Sequence, residues 1–317
     1  MSHNQHQQSQ AYAPGNGPRA PYDAARTAPV GRGGRRRRSL AVTALVTAAL
    51  SGLLSCQSGG GSAEDDRPHA PRPTTPAGAE ASTPAGNEAE GRLAGKVVVI
   101  DPGHNPGNFR HTTEINRLVD IGTNRKECDT TGTETDDGYT EAAFTRDVTQ
   151  RLRALLEKEG ARIVLTHEEG AREFGPCIDE RARIGNEAKA DAVVSVHADG
   201  SAKGHRGFHV ILPGKVASGA ADTGPIVAPS RTLGERIADA FAAATGARRA
   251  NYLGDGTGLH VRTDLGGLNL STVPKVFIEC GNMADPEDAK LLADAEWRQK
   301  AARGLAAGLG DFLLPPA

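Results

Sequence analysis

No sign of charge dominates this chain: 37 Lys and Arg stand against 39 Asp and Glu, a formal net charge of −2. Nothing in that balance argues for nucleic acid as a partner. No apolar run reaches the roughly twenty residues that a permanent membrane-spanning helix needs; residues 39–55, SLAVTALVTAALSGLLS, fall short of it. No internal repeat is visible in the 317 residues, so a stacked-repeat architecture is excluded. Cysteine is limited to four positions, each of which can be read separately. Large apolar side chains are almost missing from residues 57–91, which are dense in Pro, Gly, Ala, Ser and Thr. Such a segment cannot bury enough surface to offset its ordering entropy.

These absences divide the chain. Residues 1–38 are rich in Gln, Pro, Gly and Arg, end in GRGGRRRR and read as a disordered basic region. With the apolar stretch that follows, they form the charged and hydrophobic parts of an export signal. The stretch ends in Leu53-Leu54-Ser55-Cys56, which resembles the lipobox of bacterial lipoproteins and marks Cys56 for lipidation. An uncleaved signal-anchor is the other reading of segment 39–56, and both place the remainder outside the cytoplasmic membrane. Residues 57–91 read as a flexible linker, and a folded domain is expected over 92–314.

From residue 92 onward, short apolar strands alternate with amphipathic helices. Strands are expected at 96–100, 162–166, 192–197, 207–212 and 275–279, and helices at 141–159, 178–189, 229–245 and 286–311. That alternation specifies a single α/β domain built on a mostly parallel, twisted sheet with helices on both faces. In 141–159, Phe144, Val148, Leu152, Leu155 and Leu156 recur at helical spacing, and Thr140 is placed to cap the first turn.

Four side chains carry the chemistry. VVVIDPGH runs a buried strand into a turn at His104; AVVSVH delivers His197 in the same way. Glu141 opens the helix 141–159, where the dipole favours an acid. VPKVFIE forces Glu279 onto the end of a buried run, where a carboxylate needs a metal, a proton or a cation nearby. Two neutral imidazoles and a carboxylate form a zinc set with one position left for water, and a second carboxylate can then move protons. The other histidines carry less: His3, His6 and His69 lie in the tails, and His111, His167, His205, His209 and His260 read as structural or incidental.

From about residue 95 to 312 the chain resembles the zinc-dependent N-acetylmuramoyl-L-alanine amidases of the Amidase_3 type. The resemblance rests on VVVIDPGHNPGN, the Glu141 helix, the Arg181 to Asn186 stretch of ERARIGNEAKADAVVSVHADG, and TVPKVFIECGNMADPEDAKLL, in the family's order and spacing. It implies one Zn2+ per domain, bound by His104, Glu141 and His197, with Glu279 as the catalytic acid and base. It also implies peptidoglycan as the substrate, cleaved at the amide between N-acetylmuramic acid and L-alanine. Thr166-His167 and Asp199 depart from the family's usual residues, outside the ligand set. The DPGHN turn and the insertion carrying Cys128 look most like the actinobacterial branch.

Arg262, Asn269 and Asn282 are candidates for substrate contacts. An extracytoplasmic setting makes a disulfide between Cys128 and Cys177 the expected pairing, with two free thiols as the alternative; Cys280 reads as a buried strand-end residue. A monomer is expected, joined to the membrane by a lipid anchor or by the signal-anchor. Two other functions fit the same residues: a wall peptidase with a similar ligand set, and a non-catalytic wall-binding lipoprotein.

Overall fold

The computed structural model describes residues 91–314. The segments 1–38 and 39–56, with Cys56, and all but the last residue of 57–91 lie outside the described residues. The chain enters through β1 (Val97–Pro102), passes the short helix α1 (Thr112–Ile115) and a hairpin of β2 (Leu118–Asp120) and β3 (Arg125–Glu127), then forms α2 (Glu141–Lys158), β4 (Arg162–Leu165), α3 (Ile178–Glu187) and β5 (Ala192–Asp199). The second half carries β6 (His209–Pro213), a small hairpin of β7 (Ala217–Ser218) and β8 (Ala221–Asp222), α4 (Gly224–Thr245), β9 (Leu259–Arg262), α5 (Gly266–Asn269), β10 (Lys275–Asn282), α6 (Pro286–Ala293) and α7 (Ala295–Leu313).

The main sheet has six strands in the order β4-β1-β5-β10-β6-β9. β4, β1, β5 and β10 are parallel; β6 runs antiparallel to β10, and β9 parallel to β6. Strand alternation sorts its residues onto two faces. One face presents Val98 and Ile100, Val194 and Val196, Val210 and Leu212, Val276 and Ile278 to α2, α4 and α7. The covering residues are Phe144, Val148, Leu152 and Leu156 from α2, Leu233, Ile237 and Phe241 from α4, and Leu305 and Leu309 from α7. Each large side chain buried there contributes roughly 1.5–3 kcal/mol.

The opposite face is apolar only in part. Val99 and Val193 pack on Ile184 and Ala188 at α3 and its C-terminus. Further along the same strands the alternation places Asp101, Ser195, His197, Lys275 and Glu279, and this change from apolar to polar creates the site.

Local signals explain the elements and two departures from expectation. Thr140 caps α2 by accepting from the Ala143 N–H. The helix expected over 286–311 is two helices, because Asp294 takes an extended conformation and caps α7 by accepting from the Trp297 N–H. α4 begins at Gly224 rather than 229, since Pro225 lies in its first turn, where the missing N–H is no loss. Cys128 and Cys177 form a disulfide across 49 residues that fastens the β2–β3 hairpin to the start of α3. Cys280 is a buried free thiol. Among the described residues, no helix is long and apolar enough to cross a membrane.

Candidate metal centre

His104 leaves β1 through the Asp101-Pro102-Gly103 turn in a left-handed backbone conformation, φ 60°. That region is uncommon outside glycine and asparagine, and a side chain held there is over-determined by its surroundings. Gly103 lets the turn approach β5: a Cβ there would stand 2.4 Å from the His197 ring. Gly132, at φ +76°, likewise passes over the ligands, where a Cβ would meet His104 at 2.8 Å and Glu141 Oε2 at 2.9 Å.

These backbones bring three side chains together. His104 Nε2 lies 3.2 Å from Glu141 Oε2, and His197 Nδ1 lies 2.9 Å from Glu141 Oε1. One ligand atom from each of the three falls within 4.8 Å of the others. Tetrahedral zinc with bonds of about 2.0–2.1 Å separates neighbouring ligand atoms by roughly 3.3 Å, so the spacing and the N,N,O donor set both fit the ion. The two imidazoles meet edge to face at 5.0 Å, and the Phe277 ring stacks on His197 at 5.3 Å.

The charges are poised for a cation. Burial opposes ionisation of Glu141, yet His104 and His197 hold its carboxyl well below the usual range. Burial also works against protonation of His104, but Glu141 and Asp129 raise its pKa well above the ordinary imidazole value.

Glu279 stands beside His197 in the β5–β10 register and opposite His209 in the β10–β6 register. Its Oε2 is shut from solvent without a hydrogen-bond partner. Burial pushes its pKa well up, and the carboxylates of Glu141 and Asp199 add to the rise. Glu279 also lines, with His104, Glu141, His197, Asp199 and Arg262, an open cavity of 320 Å³. A second cavity, of 230 Å³, reaches the same His104, His197, Leu265 and Phe277 from the side of the β2–β3 hairpin and α5. The ligand set therefore lies where two cavities meet.

Of the three residues expected to touch substrate, only Arg262 faces the groove, paired with Asp264 through Nη2 at 2.6 Å. Asn269 is buried and its amide donates to the Thr263 carbonyl at 2.9 Å and to Thr123 Oγ1 at 3.2 Å. Asn282 is buried too; it accepts from the Ser201 and Ala284 N–H groups and donates to the carbonyls of Ala202 and His205. Both amides hold loops together instead of reaching the groove, which corrects the expectation for them.

Some site residues escape a reading of the sequence. His209, set aside there, is buried with an unpartnered Nδ1 directly across from Glu279. Burial lowers its pKa to about 4, so it is neutral at pH 7. Tyr252 donates from its hydroxyl to Asp199 Oδ2 at 2.7 Å, on the same side of the groove. The signal that finds His209 is its strand parity, which only the pairing of β6 with β10 makes meaningful.

The comparisons agree with this geometry. The family described as N-acetylmuramoyl-L-alanine amidase, of the Amidase_3 type, matches residues 98–311. The N-acetylmuramoyl-L-alanine amidase Rv3717 of Mycobacterium tuberculosis is 41% identical over 222 residues, covering 70% of this chain and 88% of that protein. Among solved structures, the amidase Ami1 of Mycobacterium smegmatis is 40% identical, covers 70% of this chain and 98% of its own, and superposes with a TM-score of 0.63. The apo form of Ami1 from Mycobacterium abscessus gives 38%, 70%, 100% and 0.64 for the same quantities. With two imidazoles and a carboxylate gathered at the sheet and a match across the whole described fold, the chain belongs to the N-acetylmuramoyl-L-alanine amidase family.

Proposed function

We propose that this protein is a zinc-dependent hydrolase of peptidoglycan, cleaving the amide that joins the lactyl group of N-acetylmuramic acid to L-alanine. The observation that carries the reading is the convergence of His104, Glu141 and His197 within 4.8 Å, with the unpartnered carboxyl of Glu279 in the same groove. Zinc, when bound by those three residues, polarises the scissile carbonyl and brings the pKa of water in the site toward neutrality.

The chain's own residues do the rest. Glu279 takes the proton from the attacking water and returns it to the leaving nitrogen as the C–N bond breaks, so the stem peptide departs as a neutral amine. A carboxyl kept from solvent and pushed up in pKa is suited to hold that proton between the two transfers. Phe277, stacked on His197, keeps the imidazole plane fixed. The two cavities that meet at the ligands give the glycan and the peptide separate exits. Arg262 is the charged side chain placed to meet a substrate group in the larger one.

The location follows from the first 91 residues. Segment 39–56 exports the domain, and either a lipid on Cys56 or the apolar segment itself holds it at the outer face of the cytoplasmic membrane, from which 57–91 lets it reach the wall. The domain works as a monomer. Digestion of purified peptidoglycan tests the activity: mass spectrometry is expected to find free stem peptides beside intact glycan strands. New reducing ends or shortened peptides would assign a different bond and overturn the proposal.

A further inference from the structure

Beneath the ligand set runs a chain of buried charges that the hydrolytic steps do not use. Arg181, on α3, is 5% exposed and donates in four directions. Its Nη1 reaches Asp101 Oδ1 at 2.6 Å and the Pro102 carbonyl at 2.8 Å; Nη2 reaches Asp129 Oδ2 at 2.8 Å; Nε reaches the Pro176 carbonyl at 2.9 Å. Asp101 also accepts from Thr166 Oγ1 at 2.6 Å and Ser195 Oγ at 2.7 Å, and Lys275 Nζ stands 3.8 Å away. Through Asp101 the cluster thus joins β1, β5 and the residue just after β4 to the guanidinium on α3, with Lys275 of β10 beside them.

Its free end points at a metal ligand. Asp129 Oδ1 lies 3.4 Å from Nδ1 of His104, and the Thr130 carbonyl lies 3.1 Å from the same nitrogen. That carbonyl is itself held by Asn108 Nδ2 at 2.7 Å. Nδ1 therefore faces two groups that can only accept, with the Thr130 hydroxyl, able to donate or accept, at 3.3 Å; the two obligate acceptors favour the proton on Nδ1 and the lone pair on Nε2, on the Glu141 side. Arg181 acts on both ends of this residue: through Pro102 it holds the backbone two positions before His104, and through Asp129 it holds the partner of the ring. Buried ion pairs are weak contributors to net stability, so a cluster this extensive calls for a role in orientation.

Resting on the zinc reading above, we propose that Asp129, held by Arg181, is a positioning residue for His104: it fixes the ring and its tautomer so that Nε2 is presented to the ion. An outer carboxylate of this kind raises the basicity of the ligating nitrogen, and its loss typically weakens metal binding by about 10–100-fold. Arg181→Lys preserves the charge but cannot bridge two carboxylates and a carbonyl in the same plane.

The test is zinc affinity, measured on the full chain by competition with a chromophoric chelator. Asp129→Asn is expected to bind zinc about 10–100-fold more weakly, and Arg181→Lys to weaken it as well. A core truncation, Val148→Ala, lowers the melting temperature without changing the affinity and so separates orientation from general destabilisation. Should Asp129→Asn not fold, nitrogen-15 spectra of the zinc-loaded wild type still decide: His104 is expected to ligate through Nε2 with the proton on Nδ1. Ligation through Nδ1, or Asp129→Asn binding zinc as tightly as wild type, overturns the inference. A wild type that binds no zinc defeats the hydrolase reading instead, which is a distinguishable failure.

Discussion

Glu279→Gln separates what this residue does for the reaction from what it does to the fold. Glutamine has nearly the same shape but neither accepts nor returns a proton, so it removes the transfer alone. General acid–base catalysis contributes about 10²–10⁴-fold, or roughly 3–5 kcal/mol of barrier at 1.36 kcal/mol per tenfold. Stem-peptide release from purified wall should fall by that factor, while zinc content stays at one ion per domain.

Stability should move the other way. The Oε2 of Glu279 has no partner, and Glu141 and Asp199 repel its charge, whereas His104 and Arg262 only partly offset them. Leaving a buried polar group unsatisfied costs about 1–3 kcal/mol, and more when the group is charged, and for a domain of this size each kcal/mol shifts the melting temperature by about 2–4 °C. The variant's zinc-free form is therefore expected to melt several degrees higher at pH 8. The sign of the pH dependence follows from linkage. A carboxyl whose pKa is raised on folding binds more protons folded than unfolded, so its penalty is absent below pH 4.5, the ordinary value, and grows as pH rises. The variant's advantage should vanish near pH 4 and shrink when zinc supplies a compensating charge. Full retention of activity, or a lower melting temperature in the zinc-free state at pH 8, would refute this account of Glu279.

Removal of metal by a chelator is expected to abolish wall hydrolysis, and added zinc to restore it, with elemental analysis giving one zinc per chain; activity that survives complete stripping would reject the ligand set. His209, whose pKa falls to about 4 from an ordinary 6.5 through burial, stabilises the fold in its neutral form. Its contribution is complete above pH 6.5 and is lost as pH falls toward 4, by about 3 kcal/mol at 1.36 kcal/mol per unit. Denaturant midpoints of His209→Gln should accordingly show a shallower decline between pH 6.5 and 4 than those of wild type, and parallel curves would refute the assignment. Reducing the Cys128–Cys177 bond frees a loop spanning 49 residues, which loop-closure entropy equates to about 4 kcal/mol; the paired Cys128→Ser, Cys177→Ser variant should unfold at lower denaturant, and an unchanged midpoint would show that the hairpin is held by packing alone.

The parallel half of the fold was legible because its strands are short apolar runs rich in Val and Ile, and because amphipathic helices stand between them, one of them with a marked start at Thr140. The reversed half was not. β6 carries the same apolar signature as β5, and nothing local tells HVILP to run against β10 instead of with it. β9, LHVR, alternates polar residues that face the groove, so its sequence looks like a loop. The hairpin of β2 and β3 packs through Val119, Ile121, Cys128 and Cys177, a small cluster whose members are scattered over the chain. At the helix pair α6–α7, one Asp294 cap outweighs a continuous amphipathic pattern.

The same contrast governs the site. His104, His197 and Glu279 could be picked out because each follows or ends an apolar run, and Glu141 because it opens an amphipathic helix. The residues that hold them could not, since Asp101, Asp129 and Arg181 acquire meaning only as a set: an aspartate within a buried strand, another after a cysteine and an arginine in a helix each have commonplace explanations alone. What makes the set coherent is the division of the sheet. The face toward α2, α4 and α7 is apolar along its whole length and stabilises the domain, so the opposite face can carry features that a stability optimum would not: a histidine at φ 60°, a carboxyl without a partner and a lysine, Lys275, whose Nζ is buried without a hydrogen bond. Lys275 and Glu279 lie on β10, and His104 follows directly from β1, both strands anchored by the apolar face. Strain concentrated beside the chemistry and compensated from across the sheet is the arrangement expected when orientation, rather than stability, is being selected.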